Sequence, residues 1–106
     1  DPPPALRIEV VDEPWLLGPF ACCHHPQTHP THFVLAGHLH PARRLHGPGR
    51  DSVRLPCFVH EEGQGRGQAV LPAFGEFTGG WTMESAPGRR FYAVGGSAVW
   101  ALPAAE

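Results

Sequence analysis

Thirteen glycines and thirteen prolines are spread through a chain of 106 residues, so nearly every apolar run is soon cut by a turn former. Both residues disfavour helix interiors and favour tight reversals, so the sequence suits short strands better than helices. Its length and 42% hydrophobic content support one modest core, and residues 1–106 are read as a single unit. Leu6, Ile8 and Val10 alternate with Arg7 and Glu9, the period of a half-buried strand ending near Val11. "PWLLGPFACCHH" reads as two extended pieces around Gly18 and Pro19, the second delivering His24 to a strand end. Phe33 to Ala36 is a continuous apolar run expected of an inner strand covered on both faces. "PARRLHGPGRD" reads as a polar excursion, and "SVRLPCFVH" as a strand near an edge or bulge, because Pro56 cannot donate to a ladder. "EEGQGRG" is taken as a hairpin loop, "QAVL" as a short extended piece, "PAFGEFTGGW" as a connection, and "RRFYAVGGSAVWAL" as a hairpin turning at Gly95 and Gly96. The expected fold is α+β, predominantly β, with about six or seven strands.

Charge and cysteine content narrow the function classes. A net charge of −2 leaves no generic basic footprint for nucleic acid, although a local patch stays open. All eight basic residues are Arg, which removes Schiff-base lysine chemistry and a Walker-type phosphate lysine. No run of eighteen apolar residues and no signal-like N-terminal segment occurs, so a soluble, cytoplasmic protein with no membrane partner is expected. The cysteine count is odd, and Cys22 and Cys23 are neighbours that point to opposite faces of a strand. That disfavours a disulfide framework and favours a reducing compartment.

The chemistry concentrates in "CCHHPQTHPTHFVLAGHLH", residues 22–40, which holds six of the eight histidines. His29, His32, His46 and His60 are read as surface or satisfied histidines. His38 and His40 differ: two residues apart on a strand they face one side, so both imidazoles can converge on a metal, with Leu39 directed into the core. Gly37 before them is read as allowing close approach of backbone or ligand. Between Pro14 and Arg50 there is no Asp or Glu, and a two-cation centre normally needs carboxylates to neutralise its charge. Asp12, Glu13, Asp51 and Glu61 are the candidate acids, none at ligand-like spacing. One alternative is a single soft-metal site joining Cys22 or Cys23 to the imidazoles. Arg43 and Arg44, just past the histidines, offer planar forks suited to a substrate phosphate, against the plainer reading of a solvated loop. Phe74 and Phe77 are candidates for the rim of the cleft, or for ordinary packing.

"GHLHP" after an apolar strand, preceded by "CHHPQ" at another strand end, resembles the C-terminal half of calcineurin-like metallophosphoesterases, whose last motifs are an isolated His and then Gly-His-x-His. "GHLHPARRLHGPGRDSVRLPCF" and "LPAFGEFTGG" are similar to one branch of that family, the ligase-associated DNA-repair phosphoesterases. The resemblance covers residues 5–85. It implies an α-β-β-α sandwich, of which this chain is the C-terminal portion, and a centre of two divalent ions, commonly Mn2+, with Zn2+, Fe2+ or Ni2+ also compatible. By that resemblance His24 and His38 would ligate one ion and His40 the other, with His25 behind them.

The family's Asp-x-His, Gly-Asp and Gly-Asn-His-Asp motifs are not in this chain. The resemblance therefore implies that the bridging carboxylates and the leaving-group histidine lie outside it, and that the segment alone is inactive. The implied reaction is attack of a metal-activated hydroxide on a phosphodiester, DNA being one such substrate, with a functional link to a DNA ligase. The competing class is a non-catalytic metal-binding β module such as a cupin-like small barrel. Cupins also use His-x-His but need a Glu shortly after it, where this chain has Arg43 and Arg44. A structural domain with incidental histidines is the third reading.

Overall fold

The computed structural model describes residues 8–49, 51–63, 65–73 and 80–103. These form nine strands: β1 (Trp15–Leu17), β2 (Phe20–Cys23), β3 (Phe33–Ala36), β4 (Pro41–His46), β5 (Ser52–Glu61), β6 (Gln68–Val70), β7 (Trp81–Thr82), β8 (Arg89–Gly95) and β9 (Ala98–Ala101). No helix occurs among the described residues, and therefore none long and apolar enough to cross a membrane. Residues 8–12 are exposed and not strand, so the alternation expected up to Val11 forms no ladder over that stretch. Leu6, Arg7, Phe74 and Phe77 lie outside the described residues.

β1 and β2 make an antiparallel hairpin around Gly18, whose φ of 57° is the left-handed turn geometry that glycine adopts without a steric penalty. β2 then pairs with β3 in parallel, and β3 with β6 in parallel, while β6, β5, β8 and β9 continue antiparallel. A parallel neighbour needs a crossover, usually a helix of a dozen residues or more. Here it is residues 24–32, irregular and rich in Pro and His. With three parallel pairings, β4 with β7 being the third, and β1 paired only to β2 among the described residues, the strands do not close into the small barrel of the competing reading.

"PARRLH" is not an excursion but strand β4, running antiparallel to the first half of β5. The polar residues misled because β4 lies in a thin side sheet with one wet face, where alternation rather than mean hydropathy marks a strand. β5 is shared: Ser52–Pro56 pairs with β4, and Cys57–Glu61 pairs with β8 and, over its last three residues, β6. Pro56, which lacks an amide hydrogen, sits where β5 changes partners. The final hairpin turns through Gly96 and Ser97, one residue later than expected, with Gly96 at φ 56° opening a two-residue loop.

Register places Ala21, Val34, Ala36, Val70, Val59, Cys57, Phe91 and Ala93 on one face of the main sheet, and all eight are buried. Leu39, Leu55, Met83 and Leu102 pack over one end of this row. The opposite face carries Phe20, Phe33, Leu35, Phe58 and Tyr92, each only half-buried. β3 is thus covered fully on one face and partly on the other, rather than on both. The radius of gyration is 15.6 Å, whereas a compact domain of this length has about 13 Å. The chain is a thin slab with one finished face.

Val59 has no solvent exposure and stands in register with both Val70 and Phe91. Val59→Ala should lower the unfolding free energy by about 2 kcal/mol in denaturant titration. Val53→Ala, at a half-exposed position, should cost under about 0.5 kcal/mol.

Candidate metal centre

Parallel pairing of β2 with β3 in the register Cys23↔Ala36 sends both strands out at the same sheet edge. His24 and His25 follow β2, Gly37 and His38 follow β3, and the Gly37 amide donates to the His24 carbonyl at 3.0 Å. The C-terminal edge of parallel strands is where open sheets place ligand sites, because both chains leave the ladder there with free side-chain directions.

Three imidazoles meet at that edge. The ligand atoms of His24, His25 and His38 lie within 4.8 Å of one another, and all three side chains are exposed. His24 Nε2 and His38 Nδ1 are 2.9 Å apart, one nitrogen donating and the other accepting. The His25 ring stands over both, with centroids 4.6 Å from His24 and 4.3 Å from His38. Two imidazole nitrogens on one tetrahedral zinc stand about 3.3 Å apart, given bond lengths of about 2.0 Å. His24 and His38 therefore need to part by only about 0.4 Å to share a cation.

His38 and His40 do not reach this edge as alternate residues of a strand, because β3 ends at Ala36. Both have left-handed backbones, φ 70° and 50°, the only non-glycine residues among those described to do so. The Leu39 amide donates to the Gly37 carbonyl at 2.8 Å, closing a γ-turn with His38 at its centre. Such a turn costs on the order of 1–3 kcal/mol, and strain of this kind collects at functional sites. It turns Leu39 onto the core cluster to which Val59 and Phe91 belong, as expected of that spacer. Gly37, by contrast, is not sterically required: a side-chain carbon there would make ordinary contact with the His24 carbonyl at 3.9 Å. His40 is exposed and outside the three-ring group, and its carbonyl accepts from the Trp81 amide at 3.0 Å, fixing β7.

The remaining expected residues are dispersed. Arg43 is half-buried: Nη1 donates to the Met83 carbonyl at 2.7 Å, Nη2 to Ser85 Oγ at 3.1 Å, and the guanidinium lies 4.8 Å from the Phe91 ring centre. Arg44 faces the other way, exposed, with Nη1 on Ser52 Oγ at 3.1 Å. Cys22 and Cys23 are both half-buried on opposite faces, and all three thiols are free. Burial first, then the charges of Glu13 and Cys22, push the Cys23 thiol above its usual range, which disfavours the thiolate a soft metal would need. Glu61 is taken up by Arg89 and Gln68. Asp51 closes the β4–β5 hairpin, where its carbonyl accepts from Gly47 at 2.8 Å.

Two residues named from the sequence take a different part here. His25, expected behind the ligands, has its ring in the group, because past a strand end adjacent residues no longer alternate; the doublet "HH" is the local signal. Glu13 bonds the His24 backbone amide through its carboxylate, a contact that no spacing rule announces.

Desolvation in this crowd, followed by repulsion from the charged forms of His25, His24 and His40, lowers the His38 pKa below 6.5. His38 therefore remains neutral, the state able to bind a cation, to a lower pH than an isolated histidine. In an NMR titration its midpoint should lie below 6.5, and His25→Ala, which removes a repelling charge, should raise it. A midpoint unmoved by that substitution would contradict the proximity described above.

No family profile matches the chain, and no curated protein matches it. Its structure is similar to the crystal structure of the nuclease MPE of Pseudomonas putida, with a TM-score of 0.77 and 52% sequence identity. The match covers 96% of this chain and 47% of that one, so the chain spans about half the length of the nuclease.

Proposed function

We propose that this chain is the histidine-bearing portion of a metal-dependent phosphoesterase that hydrolyses phosphodiester bonds in nucleic acid. The observation that carries the reading is the meeting of His24, His25 and His38 at one strand edge, in a chain 52% identical to a nuclease. The donor set fits a divalent cation: three neutral nitrogens lie close enough to converge, one of them on a strained backbone. In this reading His24 and His38 hold one ion with His25 beside them, and His40, one residue past the γ-turn, serves a second. When bound, the cations, Mn2+ by the family resemblance, supply charge stabilisation at the phosphoryl group and a more acidic attacking water.

The imidazoles are uncharged ligands and leave the cations' charge uncompensated, so the bridging carboxylates are assigned to polypeptide outside this chain. The half-covered sheet face with Phe20, Phe33, Leu35, Phe58 and Tyr92 supports the same division: in the proposed α-β-β-α sandwich such a face packs against further structure. This chain's own part is to present and orient imidazoles and to offer Arg44 to a substrate phosphate. Arg43 braces β4 against residues 83–85.

Three outcomes test this. The intact protein loaded with Mn2+ should cleave bis-nitrophenyl phosphate and single-stranded DNA, with His24→Ala and His38→Ala each losing at least about 100-fold in kcat; failure to cut either substrate would sink the assignment. The 106-residue chain by itself should hydrolyse neither, yet bind Ni2+ weakly by calorimetry, with His38→Ala losing at least about tenfold in affinity. Arg43→Ala should cost roughly 2 kcal/mol of stability through its lost hydrogen bonds and ring contact. Arg44→Ala should instead leave stability within about 0.5 kcal/mol and raise KM for DNA.

A further inference from the structure

We infer that Glu13 is a positioning residue of the histidine centre, acting through the backbone of His24 rather than on any cation or substrate. The inference rests on the proposed metal site but is read from a different contact. The β1–β2 ladder runs Leu17↔Phe20, Leu16↔Ala21, Trp15↔Cys22 and stops. Glu13 instead folds its side chain across, and Oε1 accepts the His24 amide that the ladder has left without a backbone partner.

The consequence is a clamp on one peptide residue. The His24 amide is held by Glu13 on the β1 side, while the His24 carbonyl is held by the Gly37 amide at 3.0 Å on the β3 side. Gly37 in turn accepts from Leu39 and so anchors the γ-turn that carries His38. A single chain of hydrogen bonds, Glu13 to His24 to Gly37 to Leu39, thereby fixes both backbones whose rings stand 2.9 Å apart. Among the described residues no other carboxylate is in hydrogen-bond contact with a histidine of the group. A charged acceptor on an amide is a stronger tether than a neutral one, and outer partners of this kind typically govern metal affinity by about 10–100-fold.

The test compares Glu13→Ala with Glu13→Gln in the 106-residue chain, using Ni2+ alone as probe and hydrogen exchange of the His24 amide as a metal-independent readout. Glu13→Ala should weaken Ni2+ binding at least about tenfold and unprotect the His24 amide; Glu13→Gln, which keeps an oxygen acceptor, should stay within about threefold of the parent and keep the amide protected. A Gln variant as weak as Ala, with its amide still protected, would overturn the inference in favour of a direct charge effect. An amide exchanging equally in all three proteins would overturn it outright, whether or not Ni2+ binds. Loss of Ni2+ binding by the parent chain with the clamp intact would count against the proposed site alone.

Discussion

The parallel pairing of β2 with β3 is the constraint on which the rest of this structure depends. Antiparallel strands would have sent His24 and His38 to opposite ends of the sheet, about 13 Å apart over four residues. Parallel strands in the register Cys23↔Ala36 send both out at one edge, where a single backbone bond from Gly37 to His24 sets their spacing. The irregular crossover 24–32 permits this without a helix, in part by making its own internal ties. His29 Nδ1 accepts from the amides of Thr31 and His32, both at 3.2 Å, which makes this histidine a turn former.

The second organising element is β5, a ten-residue strand divided between two sets of partners. Its second half carries Cys57 and Val59 into the centre of the buried row, and its first half holds β4, the strand that begins directly after His40. Trp81 of β7 and Met83 just after it then donate to the carbonyls of His40 and Ala42. The side sheet is therefore what fixes the outgoing end of the histidine loop, as β2 and β3 fix its incoming end. With both ends anchored, the loop tolerates left-handed backbones at two histidines, a cost the surrounding hydrogen bonds must offset. Burial does not contribute at the edge itself, where all three rings are exposed.

Exposure and neutrality together account for the chemistry proposed. Desolvation and the neighbouring imidazoles crowded within 4.8 Å lower the His38 pKa, so that ring favours its neutral, cation-ready form. Among the described residues Glu13 is the one carboxylate in hydrogen-bond contact with the group, and it is engaged with a backbone amide. An edge of this composition is suited to one side of a two-cation centre, and the half-covered opposite face of the sheet is suited to further packing.

The residues themselves determined a good part of this. Turn formers at short intervals implied strands, Gly18 and Gly96 marked two hairpins, and the acid-free window around seven histidines marked the stretch in which the three-ring group forms. Spacing singled out His38 and His40, and the family resemblance added His24, because a strand end and the apolar run before it are local features. Only the tertiary structure decided which histidines meet. His25 joins the group, and His40 stands apart, because a γ-turn replaces strand alternation after Ala36. The parallel register, the bond from Gly37 to His24 and the hold of Glu13 on His24 all depend on hydrogen bonds between segments apart in sequence. Local pattern carries no record of such bonds, so β4 was hidden by its polar residues and Arg43 by the partners it finds forty residues on.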